Sequence, residues 1–222
     1  MGRKKYALIM AGGSGVRMGL NTPKQFIELD GKPILRHTVE KFLSLPYEVE
    51  IVIVLADEMK DYWQDYCRRT GFLDRYCLPS SGMTRFHSVK NGLEYVPDDA
   101  IVAVHDGVRP FVTKEFLMSM FEKGENSPAV VPGIRPVETV REVTDSESYL
   151  LNRENLVLIQ TPQVFHSELL KEAYTQPYSP TFTDDASVVE AMGCKVEYTQ
   201  GLRYNIKITT PDDLAVAEKL IG

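Results

Sequence analysis

Four glycines fall within nine residues in Ala11-Gly12-Gly13-Ser14-Gly15-Val16-Arg17-Met18-Gly19, directly after the apolar run Tyr6–Met10. A backbone this bare lets N–H groups approach an anion closely, with no Cβ in the way. Arg17 lies inside the loop, and Lys24 follows behind Thr22-Pro23. Either cation alone would read as a solvated surface charge. Together on such a loop they suit phosphoryl or nucleotidyl transfer, where the catalyst mainly positions groups and neutralises charge on phosphate oxygens with Arg, Lys and Mg²⁺. Three commoner readings fail. A dinucleotide fingerprint needs Gly or Ala where Gly13-x-Gly15-x-x-Met18 places Met18, no register yields a P-loop Gly-Lys-Ser/Thr, and Val16 spoils a G-x-S-x-G nucleophile elbow.

A second group follows the apolar run Ile101–Val104, in His105-Asp106-Gly107-Val108-Arg109-Pro110. Mg²⁺ is satisfied by one or two carboxylates plus substrate phosphate oxygens and waters, so Asp106 is the candidate metal ligand and Arg109 is available for a substrate anion. The His105-Asp106 pair also occurs in all-helical metal phosphohydrolases, but those need further His and Asp ligands, and only His37, His87 and His166 remain. His105 itself reads as a packed strand-end residue. Weaker signals come from Gly82-Met83-Thr84-Arg85-Phe86-His87-Ser88, which opens a helix and can hold a base or ribose or be a plain N-cap. Arg153 and Lys207 lie in β-forming stretches, where a structural salt bridge would also explain them. Thr183-Asp184-Asp185 reads as a helix cap.

These residues need a scaffold, and the periodicity supplies one. Candidate strands at Tyr6–Met10, Val49–Leu55, Ile101–Val104, Ala129–Val131, Asn155–Gln160, Lys195–Tyr198 and Arg203–Ile208 alternate with helical patterns. The helices are predicted at Pro33–Ser44, Glu58–Arg69, Thr84–Tyr95, Thr113–Glu122, His166–Tyr174, Asp185–Met192 and Pro211–Leu220. Such alternation predicts an α/β fold, a mostly parallel sheet with helices on both faces. Ligands of such sheets sit at the carboxyl ends of strands, where both groups above fall. The alternation breaks between residues 134 and 155. There, Val137–Val143 and Tyr149–Leu151 flank the turn-former run Thr144-Asp145-Ser146-Glu147-Ser148 and predict an inserted β-hairpin. An isolated hairpin is marginal in water, so this one should pack on its own sheet or on a second subunit.

Composition narrows the class. The 222 residues carry 25 Lys+Arg against 31 Asp+Glu, a net charge of −6, with 43% hydrophobic residues. The length suits one large domain or two small ones with a real core, and excludes a disordered chain. An acidic balance disfavours a nucleic-acid partner, so any anion site must be local. The longest apolar run, Val49–Ala56, is strand-sized and interrupted by Glu50, which predicts no membrane span. Three cysteines without C-x-x-C spacing predict reduced thiols, and the N-terminal apolar run is too short for a signal peptide, so a cytoplasmic enzyme is expected.

Ala11-Gly12-Gly13-Ser14-Gly15-x-Arg17-Met18 followed by Pro23-Lys24-Gln25-Phe26 resembles the signature of the 2-C-methyl-D-erythritol 4-phosphate cytidylyltransferase family. In order, Gly82-x-Thr84-Arg85-x-x-Ser88-Val89, His105-Asp106-x-x-Arg109-Pro110, Thr161-Pro162-Gln163-x-Phe165, Thr183-Asp184-Asp185-Ala186-Ser187 and Asn205-Ile206-Lys207-Ile208-Thr209 resemble its later motifs, nearly end to end. The resemblance implies a Rossmann-like nucleotidyltransferase of one domain over residues 1–222, joining CTP and methylerythritol phosphate with Mg²⁺ and releasing pyrophosphate. By that resemblance Arg17 and Lys24 would stabilise the transition state, and Ala11, Gly12, Gly13, Gly15, Gly82 and Ser88 would surround CTP. Arg109, Thr139, Arg153, Thr161, Thr183 and Lys207 would hold the methylerythritol phosphate, with Asp106 bridging the sugar and metal side. The hairpin would cross a homodimer, so that Thr139 and Arg153 complete the neighbour's site. Met83 stands where many relatives have Asp, and Val137-Glu138-Thr139 differs from the commoner Lys-Asp-Thr. Ribitol-5-phosphate cytidylyltransferase shares nearly the same motifs but usually has His-Asp-Ser where this chain has His105-Asp106-Gly107. A CTP sensor without turnover would have no reason to keep Arg17 beside Lys24.

Overall fold

In a computed structural model describing residues 2–13, 22–72 and 75–221, the sheet strands send alternate side chains to opposite faces. In β1 (Lys4–Met10), β4 (Glu50–Val54) and β5 (Ala100–Asp106), residues Ala7, Ile9, Ile51, Ile53, Ile101 and Ala103 enter one core. Leu8, Val52, Val54, Val102 and Val104 enter the other. Period 2 with both faces apolar requires cover on both sides. The first face is covered by α1 (Ile34–Leu43), α2 (Asp57–Thr70) and α4 (Lys114–Asn126), through Leu35, Val39, Phe42, Trp63, Leu117 and Phe121. The second is covered by α3 (Arg85–Leu93), α5 (Ser167–Ala173) and α6 (Asp185–Ala191), through Phe86, Val89, Leu93, Leu170, Ala186 and Val189. A short antiparallel pair, β2 (Glu28–Leu29) and β3 (Lys32–Pro33), precedes α1, and α7 (Pro211–Ile221) closes a third cluster with Val108 and Ile208.

The strand order is β11-β6-β10-β5-β1-β4, where β6 is Ala129–Ile134, β10 is Gln163–His166 and β11 is Glu197–Gln200. β9 (Leu158–Ile159) pairs with β6 off this path. β1 runs parallel to β4 and β5, and β11 to β6, while β10 is antiparallel to both its neighbours. The expected α/β class with a mostly parallel, Rossmann-like sheet therefore holds. After β1 the chain turns to β4 on one side, then crosses to β5 on the other. That reversal of strand order makes the crevice between the carboxyl ends of β1 and β5 the switch point where ligands bind.

Two expected strands are corrected. Arg203–Ile208 forms no ladder. Its polar backbone groups find single partners instead, Ile208 N–H donating to the Val108 carbonyl at 3.0 Å and the Asn205 carbonyl accepting from Arg109 Nη1 at 2.7 Å. Asn155–Gln160 shortens to β9, because Arg153–Asn155 winds into a 3-10 turn capped by the Asn152 side chain. In turn, β10 was not foreseen. The hairpin is present as β7 (Val140–Val143) and β8 (Ser148–Leu151), a separate two-stranded antiparallel sheet. Val143, Tyr149 and Leu150 on it are at least half exposed.

Candidate active site

At the switch point the strand ends lie level, with Met10 opposite both Asp106 and Val54. A cleft of about 400 Å³ opens there. Its wall includes Ala11, Gly12, Gly13, Lys24, Gly82, Ser88, Asp106 and Lys207, eight of the expected residues drawn from five separate stretches of chain. Gly15 and Arg17 lie outside the described residues. Close approach dictates two of the glycines. A Cβ on Gly12 would sit 2.4 Å from Ser81 Cβ, and one on Gly82 would sit 2.4 Å from His87 Cβ and 2.9 Å from its carbonyl carbon. The Gly82–Ser88 turn is stitched by Ser88, whose hydroxyl accepts from Gly82 N–H at 2.9 Å and donates to the Thr84 carbonyl at 2.9 Å. Met83 stands 94% exposed at the cleft mouth.

Asp106 organises the cationic side. Its Oδ2 accepts from Arg109 Nε at 3.0 Å and lies 3.1 Å from Lys207 Nζ. Burial alone would push this carboxyl up, but Lys207, Arg109 and Arg85 outweigh it and hold Asp106 well below the usual carboxylate range. Asp106 lines the cleft as an ionised carboxylate, and its contacts to Arg109 and Lys207 all fall on Oδ2. Among those residues no cluster of three or more His, Cys, Asp or Glu is placed to hold a metal. This donor set fits Mg²⁺, a cation that takes one carboxylate and draws its other ligands from phosphate oxygens and water.

Beneath Asp106, one threonine sets the strand end. Thr161 Oγ1 accepts from the Asp106 N–H at 3.1 Å and lies 3.0 Å from His105 Nδ1. His105 Nε2 faces the Arg109 carbonyl at 3.1 Å, which can only accept. Nε2 therefore carries the proton, and Nδ1 accepts from Thr161. Protonating Nδ1 would reverse that bond and leave the Thr161 hydroxyl accepting from both the ring and the Asp106 N–H. Burial of the ring, opposed only partly by the Arg109 carbonyl and Asp106, lowers the His105 pKa from 6.5 to about 4. Because the unfolded chain binds that proton first, stability falls as pH drops from 6.5 toward 4, by about 1.4 kcal/mol per unit and about 3 kcal/mol in all. Asp106, with its depressed pKa, extends the loss below pH 3.8. Urea unfolding at pH 7, 5.5 and 4.5 measures this slope, and equal stability at all three would refute the neutral-histidine assignment.

The remaining expected residues divide. Thr183 is exposed and precedes Asp184, the N-cap of α6, whose side chain forms a capping box with Ser187. Thr139 and Arg153 lie on the hairpin side, around a hollow shared with Leu150, Leu151 and Asn152, and do not line this chain's cleft. Arg153 donates to the Val137 carbonyl there. Three residues in or beside the site escaped the sequence reading. Gln25, fully buried beside Lys24, donates from Nε2 to the Ala11 carbonyl at 2.8 Å and anchors the root of the glycine loop. Asn205 donates to the Thr161 carbonyl at 2.7 Å and carries the Lys207 segment to the cleft. Arg85 lines the cleft while paired to buried Asp185. Their motif positions were visible, but not their partners, which lie 14, 44 and 100 residues away.

Gly12 and Gly13, two lysines and one ionised carboxylate around a cleft at the switch point of a Rossmann-like sheet are the kind of site a nucleotidyltransferase uses. The family model for IspD, 2-C-methyl-D-erythritol 4-phosphate cytidylyltransferase, matches residues 6–222, and the chain belongs to that family. A curated relative of that name from Phocaeicola vulgatus is 50% identical over 217 residues, covering 98% of this chain and 99% of the relative. One from Porphyromonas gingivalis is 46% identical over 222 residues, covering 100% and 99%. The fold matches the 4-diphosphocytidyl-2C-methyl-D-erythritol synthase crystal structure from Anaerococcus prevotii with a TM-score of 0.84, at 27% identity and coverage of 99% and 96%. The Francisella tularensis 2-C-methyl-D-erythritol 4-phosphate cytidylyltransferase structure gives 0.81, at 32% identity and coverage of 97% and 99%.

Proposed function

We propose that this chain, acting as one catalytic unit with a β-arm at about residues 134–155, transfers CMP from CTP to 2-C-methyl-D-erythritol 4-phosphate and releases pyrophosphate, a step of isoprenoid precursor synthesis. The convergence of Lys24, Lys207 and Asp106 on the glycine-lined cleft carries this reading. The acceptor phosphate is already anionic, so no side chain has to remove a proton. One of its oxygens attacks the α-phosphorus of CTP, the bond to the β-phosphate bridging oxygen breaks, and pyrophosphate leaves with that electron pair. Acceleration then rests on in-line orientation and neutralised charge. Arg17 and Lys24 neutralise charge on the α-phosphate in this reading, with Ala11, Gly12, Gly13 and Gly15 assigned to the phosphates and Gly82 and Ser88 to the base. Lys207 and Arg109, held by Asp106, orient the acceptor phosphate together with the Thr161 and Thr183 segments. Mg²⁺, when bound at Asp106, supplies further neutralisation of the triphosphate. A pyrophosphate-release assay with CTP and Mg²⁺ tests the reading. Turnover with methylerythritol 4-phosphate and not ribitol 5-phosphate is expected, and the reverse preference would move the substrate assignment.

The arm points to a homodimer in which Thr139 and Arg153 serve the neighbour's cleft. The support is that they stay off their own cleft while the arm leaves Val143 and Leu150 exposed. An apolar surface of this kind on a two-stranded ribbon calls for a partner. Light scattering should give twice the mass of one chain, and Arg153→Ala should lower kcat/KM about tenfold or more, the scale of a lost charged hydrogen bond. An active monomer would sink the shared site. Free Cys67, Cys77 and Cys194 support a reducing, cytoplasmic setting. Among the described residues no helix is long and apolar enough to cross a membrane.

A further inference from the structure

Arg85 lines the cleft, yet the ends of its guanidinium are committed elsewhere. Nη1 donates to Asp185 Oδ1 at 2.9 Å and Nη2 to Asp185 Oδ2 at 2.6 Å, while the Tyr174 hydroxyl donates to Oδ1 at 2.6 Å. Asp185 is wholly buried and Tyr174 is 1% exposed, its ring stacked on Phe86 with centroids 4.7 Å apart. A buried pair like this adds little net stability, because desolvation offsets the attraction; what it supplies is a fixed geometry. The geometry joins two places that matter. Arg85 is the first residue of α3, directly behind the Gly82–Thr84 turn, and Asp185 is the first residue of α6, directly behind Thr183-Asp184. Gln163 grips the same turn of α6, donating to Asp184 Oδ2 at 2.8 Å and accepting from Ala186 N–H at 2.9 Å.

We propose that Arg85, Asp185 and Tyr174 form a positioning strut that holds the nucleotide segment Gly82–Ser88 in register with the Thr183 segment, so that the two substrates meet in line. Arg85 is then not a phosphate ligand, since a buried carboxylate already meets its charge. This deepens the proposed function and rests on it for its kinetic consequence. The strut aligns two bound substrates, so its loss lowers kcat and leaves each KM nearly unchanged.

Arg85→Lys keeps the charge but cannot span both carboxylate oxygens. Its kcat per folded molecule should fall about tenfold or more, as small misplacements do, with both KM values within about threefold. Tyr174→Phe, which keeps the ring stack and removes one hydrogen bond, should cost about threefold in kcat and covers the case in which Arg85→Lys does not fold. Unchanged kcat in the folded variants would make the pair purely structural. A rise in the CTP KM alone would make Arg85 a nucleotide ligand. Either result overturns the strut. Amide exchange provides a readout that needs no turnover. CTP should slow exchange at residues 184–187 as well as 82–88 in the parent, and only at 82–88 in Arg85→Lys. Slowing confined to 82–88 in the parent would overturn the strut, whereas a parent that binds CTP but releases no pyrophosphate would overturn the proposed reaction instead.

Discussion

Lys24→Ala should lower kcat by about 10²–10³ while the protein stays folded, because it removes a preorganised charge from the place where negative charge crowds during transfer. Lys24 stands in the cleft wall beside Gly13, whose added Cβ would lie 3.8 Å from Lys24 Cε. Its neighbour Gln25 is buried and bonded to the Ala11 carbonyl at 2.8 Å, which ties the segment that carries Lys24 to the end of β1. Preorganisation of this kind is what makes a charge worth several kcal/mol in a transition state, since no reorganisation is needed when the charge develops. Arg17→Ala should act on the same scale. Pyrophosphate release under saturating CTP and methylerythritol phosphate measures both variants. A rate within about threefold of the parent for either would show that charge neutralisation at this loop is not the main source of acceleration.

The second large effect is expected from Asp106→Asn. The substitution keeps the shape and removes the charge that Arg109 and Lys207 share. Arg109 and Asp106 have side chains only 11% and 10% exposed, so their pairing is a buried one, whereas Lys207 at 39% is partly screened by solvent. Leaving the buried guanidinium uncompensated should cost about 3 kcal/mol, which for a chain of this size lowers Tm by roughly 6–12 °C. On the proposed reading, in which Arg109 and Lys207 orient the acceptor phosphate, kcat should fall as well, because both cations lose the carboxylate that holds them. Thermal unfolding and turnover on the same samples separate the two effects. A variant with parental Tm and at least a third of parental kcat would remove Asp106 from its place in the site.

The α/β class and both ends of the cleft were legible in the sequence because the relevant signals are local. Short continuous apolar runs specify strands with two buried faces, and a glycine loop followed by Lys24 advertises anion binding by composition alone. The hairpin was legible for the same reason, since Thr144–Ser148 is a turn by residue type. β10 was not, because Gln163–His166 offers only Val164 and Phe165 as an apolar run, and its place between β5 and β6 depends on pairings 59 to 65 residues distant with β5, such as Phe165 with Val102, and 34 to 36 residues distant with β6. Arg203–Ile208 misled in the opposite direction. It alternates like a strand, but its polar groups are met one by one by Val108, Arg109 and Thr161.

By itself the sequence determined the kind of chemistry, through residue types that act on phosphate wherever they are placed, and the family, through motifs in a fixed order. Only the tertiary structure decided which of those residues share a cleft, that Arg85 pairs with Asp185 a hundred residues along the chain, and that Thr139 and Arg153 stay away from their own chain's cleft. Charges meet across space and not along the chain. Their partners become identifiable only after folding has buried them together and removed the water that would otherwise have satisfied each one separately.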